Sequence, residues 1–276
     1  MATLSALYAL HDAHHRSTPS LYAIHAALLR LLLADLLVPS RSLMLTLPHA
    51  LELFRKGYAH PDDAVRAIVV TGAGERAFSA GNDLRWQAEG NAITVPPSGF
   101  GGLTSRWDLD KPVIAAVNGV AMGGGFEVAL AADIILASDN ATFALPEPKV
   151  GLAALAGGLH RLPRAIGVSR AMAMILTART VSAAEGKELG FVTEVVPAAD
   201  LLTRAKALAA AMCELSPLSL RASKQAVLKG LEEPSLRAAY EGQGKYSAVQ
   251  SLFRSEDLRE GPLAFAQKRK PEWKGR

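Results

Sequence analysis

Two almost entirely apolar runs, at residues 67–71 and 113–117, stand out in the middle of the chain. A run of this length without polar alternation is typical of a strand that is buried on both faces. A third run at 134–137 follows a short helix-like segment at 126–132. This succession of strand, loop, helix and strand predicts a parallel sheet with right-handed crossovers. We therefore expect an α/β protein that binds its ligand at the carboxyl ends of the strands.

The two ends of the chain carry helical patterns instead. Residues 1–45 are rich in Leu, Ala and His, and we predict an atypical helical N-terminal segment there, with a further helix-like pattern from Thr46 to Pro61. The core is expected to span residues 46–200, and residues 201–276 to form a helical C-terminal region. Residues 90–112 contain several glycines and prolines without periodicity, which predicts a mobile loop beside the site.

Composition narrows the class of protein and its partners. The 276 residues, half of them apolar, fit one large globular domain, and the formal net charge of +4 favours a small anionic ligand over nucleic acid. A single cysteine, Cys213, excludes an internal disulfide and a multi-cysteine metal site, and favours the cytoplasm. Residues 21–38 are apolar but interrupted by charged side chains, so no membrane span is predicted. An organelle transit peptide at the N-terminus is the alternative.

Two glutamates carry the main chemical signal. Glu127 follows the glycine run 123–125 at the start of a helix, and Glu147 stands between two prolines. Bare backbone N–H groups at a glycine-rich helix start can hold an oxygen that gains negative charge, and two nearby carboxyls can move protons and orient a water. The alternatives are that Glu127 is only a charge partner of the helix dipole and that Glu147 is a solvated loop acid.

Two other motifs suggest different functions, a dinucleotide site and a serine hydrolase. Residues 72–77 match the dinucleotide fingerprint G-x-G-x-x-A, but no helix is expected after them and no acid follows at the right distance. Residues 77–81 come close to a serine-hydrolase elbow at Ser79, with Asp133 and His160 following in order. Several residues separate Ser79 from the preceding strand, which disfavours a nucleophile.

Five ordered segments resemble the crotonase (enoyl-CoA hydratase/isomerase) superfamily, and together they cover most of the chain from residue 51. They lie at 66–72, 77–84, 111–127, 143–147 and 260–269. The resemblance implies a spiral of ββα units and a C-terminal helical region that packs trimers, often paired into hexamers.

The same resemblance implies roles for individual residues. Ala80 and Gly124 match the two oxyanion-hole N–H donors that hold an acyl-CoA thioester oxygen, and Glu127 and Glu147 match the carboxyl pair of true hydratases. A further set of positions matches the coenzyme A (CoA) site: Ala77, Ser79, Asp83, Leu84, Phe265 and Lys268.

Hydration of an enoyl-CoA, or the reverse dehydration, is therefore the expected activity, in fatty acid or related acyl-CoA metabolism. Other crotonase reactions such as double-bond isomerisation, and a non-catalytic CoA-binding or scaffold protein, are the alternatives. No metal and no separate cofactor is expected, because the CoA thioester is itself the substrate. Three aromatic residues fall where a wall of the acyl pocket is expected: Trp86, Phe100 and Trp107.

The N-terminal segment departs from the family pattern. Members of the family normally open with two alternating strands and a turn that contacts CoA, and residues 1–45 show neither. We therefore expect this segment to lack the opening strands.

Overall fold

The computed structural model of the protein describes residues 42–46, 65–90 and 95–276, with backbone alone for residues 42–46, 85 and 86. They lie in one compact unit, Pro39–Arg276. Among them, no helix is both long and apolar enough to cross a membrane. The apolar stretch 21–38 and most of the helix-like pattern after Thr46 lie outside the described residues.

Two sheets organise the described residues. The first has five parallel strands in the order β1-β2-β4-β6-β9, and the second has four strands in the order β3-β5-β7-β8, of which β8 alone is antiparallel to its neighbour. The strands are β1 Ser42–Thr46, β2 Ala67–Thr71, β3 Ala77–Ser79, β4 Val113–Val117, β5 Val120–Met122, β6 Ile134–Ser138, β7 Thr142–Ala144, β8 Val181–Ser182 and β9 Glu194–Val196.

Helices follow the strand pairs and then dominate the C-terminal part. The α-helices are α1 Leu84–Ala88, α2 Gly124–Leu130, α3 Gly158–Ile166, α4 Val168–Thr177, α5 Ala183–Leu189, α6 Leu201–Cys213, α7 Pro217–Gly230, α8 Leu236–Gly242, α9 Ser247–Arg254 and α10 Asp257–Ala266. Short 3-10 helices at Phe100–Gly102 and Glu147–Val150 lie next to the site.

The strand pairs repeat as ββα units. In β2-β3-α1, β4-β5-α2 and β6-β7-α3, the first strand of each unit joins the five-stranded sheet and the second joins the four-stranded sheet. This is the predicted spiral, and the prediction of a crotonase-like α/β fold is confirmed. Because β3, β5 and β7 are neighbours, the segments that leave their carboxyl ends come together in space.

Small side chains allow α6 to pack closely on the five-stranded sheet. Its buried residues recur every fourth position, from Leu201 through Ala205 and Ala209 to Cys213. They pack against the buried face of the sheet, which includes Ala67, Val69, Ile114, Ala116 and Leu136. The mixture of small and large side chains on the two elements allows close packing behind the site.

Two sequence predictions need correction. The segment predicted to lack strands ends inside β1, because Ser42–Thr46 pairs in parallel register with β2. Hydrogen bonds to the edge of β2 override the local helical pattern, since strand pairing depends on distant residues. The helix predicted at 126–132 runs instead over Gly124–Leu130. Glycines without side chains therefore form its first turn, and Glu127 still belongs to that turn. The other predicted boundaries, at residues 200 and 201, stay predictions.

Candidate active site

A glycine turn between β5 and α2 forms the centre of the site. Gly123 adopts φ 54° and ψ −127°, and no side chain caps the first turn of α2. The segment after β3 lies directly against this turn, because a Cβ added to Gly81 would be 2.9 Å from the Met122 carbonyl oxygen and 3.0 Å from the Gly124 nitrogen. Ala80, the residue before Gly81, is exposed. The two predicted oxyanion donors, Ala80 and Gly124, therefore belong to backbone segments in contact.

Asn118 holds the turn that leads into β3. Its Oδ1 accepts a hydrogen bond from the Gly72 N–H at 2.9 Å, and its Nδ2 donates to the Gly74 carbonyl oxygen at 2.8 Å. Both contacts span more than forty residues of sequence. Asn118 follows β4, so the five-stranded sheet fixes the path of the backbone towards Ala80.

Glu127 is almost fully buried, with 3% of its surface exposed. Its Oε1 accepts a hydrogen bond from the Gly158 backbone N–H, the first residue of α3, at 2.8 Å. A Cβ on Gly158 would be 3.0 Å from the Glu127 Cγ. Glycine at this position thus allows the carboxylate to reach the start of the helix, where the dipole favours negative charge.

Glu147 also lies against the glycine turn. It begins the 3-10 helix Glu147–Val150, and a Cβ on Gly123 would be 2.9 Å from its Oε1. Its Oε2 is buried and has no hydrogen-bond partner in the described part of the chain. Leaving a buried acceptor unpaired costs about 1–3 kcal/mol, so this oxygen is placed for something other than stability.

The two carboxyls interact electrostatically. Burial raises the pKa of Glu127, and the charge of Glu147 raises it further, whereas the N–H groups of Gly158 and Ala156 and the charge of Arg161 lower it. Burial also raises the pKa of Glu147. Two interacting carboxyls with raised pKa values are suited to proton transfer.

Phe100 connects the predicted loop to the site. Its half-buried ring lies so close to Gly124 that a Cβ there would be 2.4 Å from the ring atom Cε1. We call residues 95–109 the wall loop. Backbone hydrogen bonds fold it on itself, for example from the Ser105 N–H to the Ser98 carbonyl oxygen at 2.9 Å. Its position beside the site is as predicted, and its mobility stays a prediction.

Sequence reasoning missed Gly158 and Arg161. The Arg161 Nη2 donates to the Thr104 carbonyl oxygen at 2.8 Å, and its guanidinium carbon lies 5.0 Å from the centre of the Trp107 ring. The available signal was the glycine pair 157–158 before an amphipathic segment, which repeats the pattern of a glycine-rich helix start beside a carboxylate. The side chain of Trp86, the third predicted wall residue, lies outside the described part of the chain.

The predicted CoA residues fall into two groups. Ala77 and Ser79 are in β3, which pairs with the strand that leads into the glycine turn, and Asp83 and the exposed Leu84 follow β3 towards α1. Phe265, 87% exposed, lies in the last turn of α10, and Lys268 follows that helix with φ 52°. The main packing partner of α10 is α9, and these two residues lie apart from β3 along the chain.

The rival motifs lose their support in the structure. Asp133 accepts hydrogen bonds from the Val113 N–H and the Lys224 Nζ, each at 2.8 Å, so it is engaged in packing. Ser79 Oγ accepts from the Gly81 N–H at 3.2 Å. The fingerprint residues after β2 form a bend that leads into β3 rather than a helix. A serine triad and a dinucleotide site are therefore both disfavoured.

The spiral of ββα units, with Glu127 and Glu147 next to a glycine turn, defines the class of protein to compare. A family model described as enoyl-CoA hydratase/isomerase matches residues 42–276. The chain belongs to this family, and the resemblance inferred from sequence is confirmed.

Individual relatives refine the comparison. The chain is 47% identical over 218 residues to carnitinyl-CoA dehydratase from Escherichia coli, covering 78% of this chain and 84% of the relative. The Proteus mirabilis protein of the same name is 45% identical over 219 residues, with the same coverage of 78% and 84%. The crystal structure of enoyl-CoA hydratase from Mycobacterium tuberculosis superposes with a TM-score of 0.78 at 34% identity, covering 86% of this chain and 96% of that one.

Proposed function

We propose that this protein is an acyl-CoA hydratase or dehydratase, a lyase that adds water across the 2,3 double bond of an enoyl-CoA or removes it from a 3-hydroxyacyl-CoA. The observation that carries the proposal is a pair of interacting carboxyls next to a glycine turn: Glu127 is buried in the first turn of α2, and the Oε1 of Glu147 would lie 2.9 Å from a Cβ on Gly123. The similarity to carnitinyl-CoA dehydratases supports a hydratase-type reaction and makes carnitinyl-CoA a candidate substrate.

The N–H groups of Ala80 and Gly124 act as the oxyanion hole in this proposal. They hold the thioester oxygen, which makes the β-carbon electrophilic and stabilises the enolate that forms when water adds. The contact between Gly81 and the Gly124 nitrogen supports this role, because it brings the two backbone segments together. Loss of one such donor typically costs about 3 kcal/mol of barrier.

The glutamates move the protons. Glu127, as carboxylate, takes a proton from water while the water oxygen bonds to the β-carbon and the electron pair of the double bond moves to the thioester oxygen. Glu147 orients that water, and its carboxyl proton passes to the α-carbon as the enolate collapses to the thioester. A proton then returns from Glu127 to Glu147, and H and OH have been added overall. This route needs no metal and no separate cofactor.

CoA binding and assembly complete the proposal. Ala77, Ser79, Asp83 and Leu84 line the adenine end, and Phe265 and Lys268 close over CoA, from the same or a neighbouring subunit. Large apolar side chains in the C-terminal helices are exposed on the single chain, among them Leu236 at 87% and Tyr240 at 73%. Exposed apolar surface of this extent supports assembly into a trimer or a pair of trimers. The lone, buried Cys213 supports a cytoplasmic location.

Turnover of enoyl-CoA substrates tests the reaction. Straight, branched and aromatic 2-enoyl-CoAs are followed by the ultraviolet loss of conjugation, with carnitinyl-CoA tested in the reverse direction. We expect Glu127→Gln and Glu147→Gln each to lower the rate by roughly 10²- to 10⁴-fold. The matched control is Glu185→Gln, a glutamate in the first turn of α5 that pairs with Arg179, which should keep the parent rate.

Other outcomes identify the alternatives. If Glu127→Gln and Glu147→Gln both react at rates within a few-fold of the parent, the assignment of these two glutamates to catalysis is wrong. Loss of 3-enoyl-CoA with formation of conjugation and no added water would indicate isomerisation. Absence of heat on titration with acyl-CoA in a calorimeter would indicate a non-catalytic protein. Assembly is tested by light scattering, where a trimer has three times the 29.1 kDa mass of the chain.

A further inference from the structure

Arg161 is a half-buried cation on the helix whose first residue binds the Glu127 carboxylate. It lies in the first turn of α3, whose first residue, Gly158, donates its N–H to Glu127. Its guanidinium is pressed against the start of this helix, since a Cβ on Gly157 would be 2.1 Å from the Arg161 Nη1. Within residues 65–90 and 95–276, no carboxylate oxygen lies within 4.0 Å of it.

Placing a cation there is unfavourable for α3 taken alone. The N-terminus of a helix carries partial positive charge, so a guanidinium beside it is repelled rather than attracted. Burial adds to this cost, and it lowers the pKa of Arg161, whereas the negative charge of Glu127 raises it. The arrangement is therefore stabilised chiefly when Glu127 is ionised.

Arg161 also fastens the wall loop to the same helix. Its Nη2 donates to the Thr104 carbonyl oxygen at 2.8 Å, and Trp107 stacks on the guanidinium with 74% of its own surface exposed. The wall loop carries Phe100, which packs on Gly124. Arg161 thus links the wall loop, which touches the glycine turn through Phe100, to α3, which binds Glu127.

We propose that Arg161 is a positioning residue for the reaction: it clamps the wall loop onto α3 and holds a positive charge behind Glu127, so that this carboxylate stays ionised and aimed at the substrate water. The catalytic part of this inference rests on the proposed hydratase function. The electrostatic part does not, because it concerns the interaction of Arg161 with Glu127 in the free protein.

The groups that set the charge of Glu127 are few. The charge of Glu147 raises the pKa of Glu127 and the charge of Arg161 lowers it, whereas the exposed Arg164 acts on Arg161. On the wall loop, Arg106 is paired with Asp108 at 2.8 Å. Removal of Arg161 should therefore raise the pKa of Glu127, because the other side-chain charge that acts on it is a second carboxylate.

The first experiment measures the kinetics of Arg161→Met, Arg161→Lys and the control Arg164→Gln with a turned-over 2-enoyl-CoA. Arg164 is exposed, and its Nη1 donates only to the carbonyl oxygen of His160 on its own helix. We expect Arg161→Met to lower kcat/KM by roughly 10- to 100-fold, as misplaced catalytic groups do. The acidic limb of its pH profile should move to higher pH.

The lysine variant separates charge from shape. Lysine keeps a positive charge but loses the planar fork that binds Thr104 and stacks on Trp107. Arg161→Lys should therefore keep the acidic limb near its parent position while kcat falls. The control Arg164→Gln should match the parent in both. A parent-like profile for Arg161→Met, or a lower rate with an unmoved limb, overturns the proposal.

The second experiment needs no activity. The unfolded chain does not hold Arg161 near Glu127, and in the folded protein Glu127 ionises only above its raised pKa. The difference in melting temperature between the parent and Arg161→Met should therefore widen as the pH rises through the folded-state pKa of Glu127, which lies above 4.5. It should stay constant with pH when both proteins also carry Glu127→Gln.

These outcomes keep the two proposals apart. If the parent is inactive but the melting-temperature difference between it and Arg161→Met still widens with pH, the hydratase function is refuted and the electrostatic role of Arg161 is supported. If the parent is active and that difference stays constant with pH, the electrostatic role is refuted and the hydratase function is supported. If Arg161→Met does not fold, Arg161→Lys and Trp107→Ala replace it. Since Trp107 is exposed, its loss should leave the melting temperature unchanged and lower kcat several-fold, and an unchanged kcat would refute the clamp.

Discussion

Replacing Gly124 by alanine tests directly whether the wall loop packs on the glycine turn. A Cβ at this position would lie 2.4, 2.7 and 2.9 Å from three atoms of the Phe100 ring. These are the nearest atoms, so the strain in Gly124→Ala comes chiefly from one side chain. The backbone itself accepts alanine, because Gly124 is the first residue of α2.

The magnitude follows from two opposing effects. Overpacking of a tight contact costs about 1–3 kcal/mol. Alanine is more favourable than glycine in a helix by at most about 1 kcal/mol. In the parent, Gly124→Ala should therefore destabilise by about 1–2 kcal/mol. In a Phe100→Ala background the obstacle is gone, and the same change should be neutral or slightly stabilising. The coupling energy between the two sites is then about 2 kcal/mol.

Urea unfolding of the parent, both single variants and the double variant measures this coupling. The control is Gly244→Ala, because a Cβ there would meet no atom within 4 Å. It should change the free energy of unfolding equally in both backgrounds. The hydration rate should fall in Gly124→Ala and recover in part in the double variant, as the amide returns to its place. An equal cost of Gly124→Ala with and without the Phe100 ring would refute the packing described here.

Three further predictions concern stability. The folded-state pKa of Glu127 is raised, so its ionisation above pH 4.5 destabilises the folded protein. The free energy of unfolding of Glu127→Gln should therefore rise relative to that of the parent as the pH rises. A difference that stays constant with pH in urea titrations would contradict this. Asp257 accepts hydrogen bonds from Ser216 Oγ at 3.0 Å and from the Lys274 N–H at 2.7 Å. Asp257→Ala should therefore lower the free energy of unfolding in urea by about 2–3 kcal/mol and make the C-terminus accessible to carboxypeptidase. Asn118→Ala should lower the free energy of unfolding by about 2 kcal/mol and weaken acyl-CoA binding, as measured by calorimetry. Asn118→Asp keeps the acceptor oxygen and should lower the free energy of unfolding by less.

The buried strands and both glutamates could be predicted because their signals are local. β2 and β4 have the predicted bounds, since an apolar run closed by a turn is enough to define a strand buried on both faces. Glu127 stood out because a charged residue precedes an otherwise apolar helix segment. The glycine run gave the position of the turn, although it placed the start of α2 two residues late.

The missed features depend on residues that are distant along the chain. β1 forms through pairing with β2, and the bond from Gly158 to Glu127 spans 31 residues. The contact between Arg161 and Thr104 spans 57 residues. Such contacts leave no periodicity behind, and a single arginine or glycine in a helix start is too common to be singled out. Only the fold shows that one end of α3 binds both Glu127, through Gly158, and the wall loop, through Arg161.

The surroundings of the two glutamates argue for different protonation states. Glu127 is met by the N–H groups of Gly158 and Ala156 and by the charge of Arg161, all of which favour its ionised form against burial. Glu147 has a buried Oε2 without a hydrogen-bond partner among the described residues, and burial raises its pKa. When two carboxyls interact, ionisation of one raises the pKa of the other, so one proton stays on the pair over a range of pH. A pair that holds one proton supplies both the base and the acid that the proposed water addition needs.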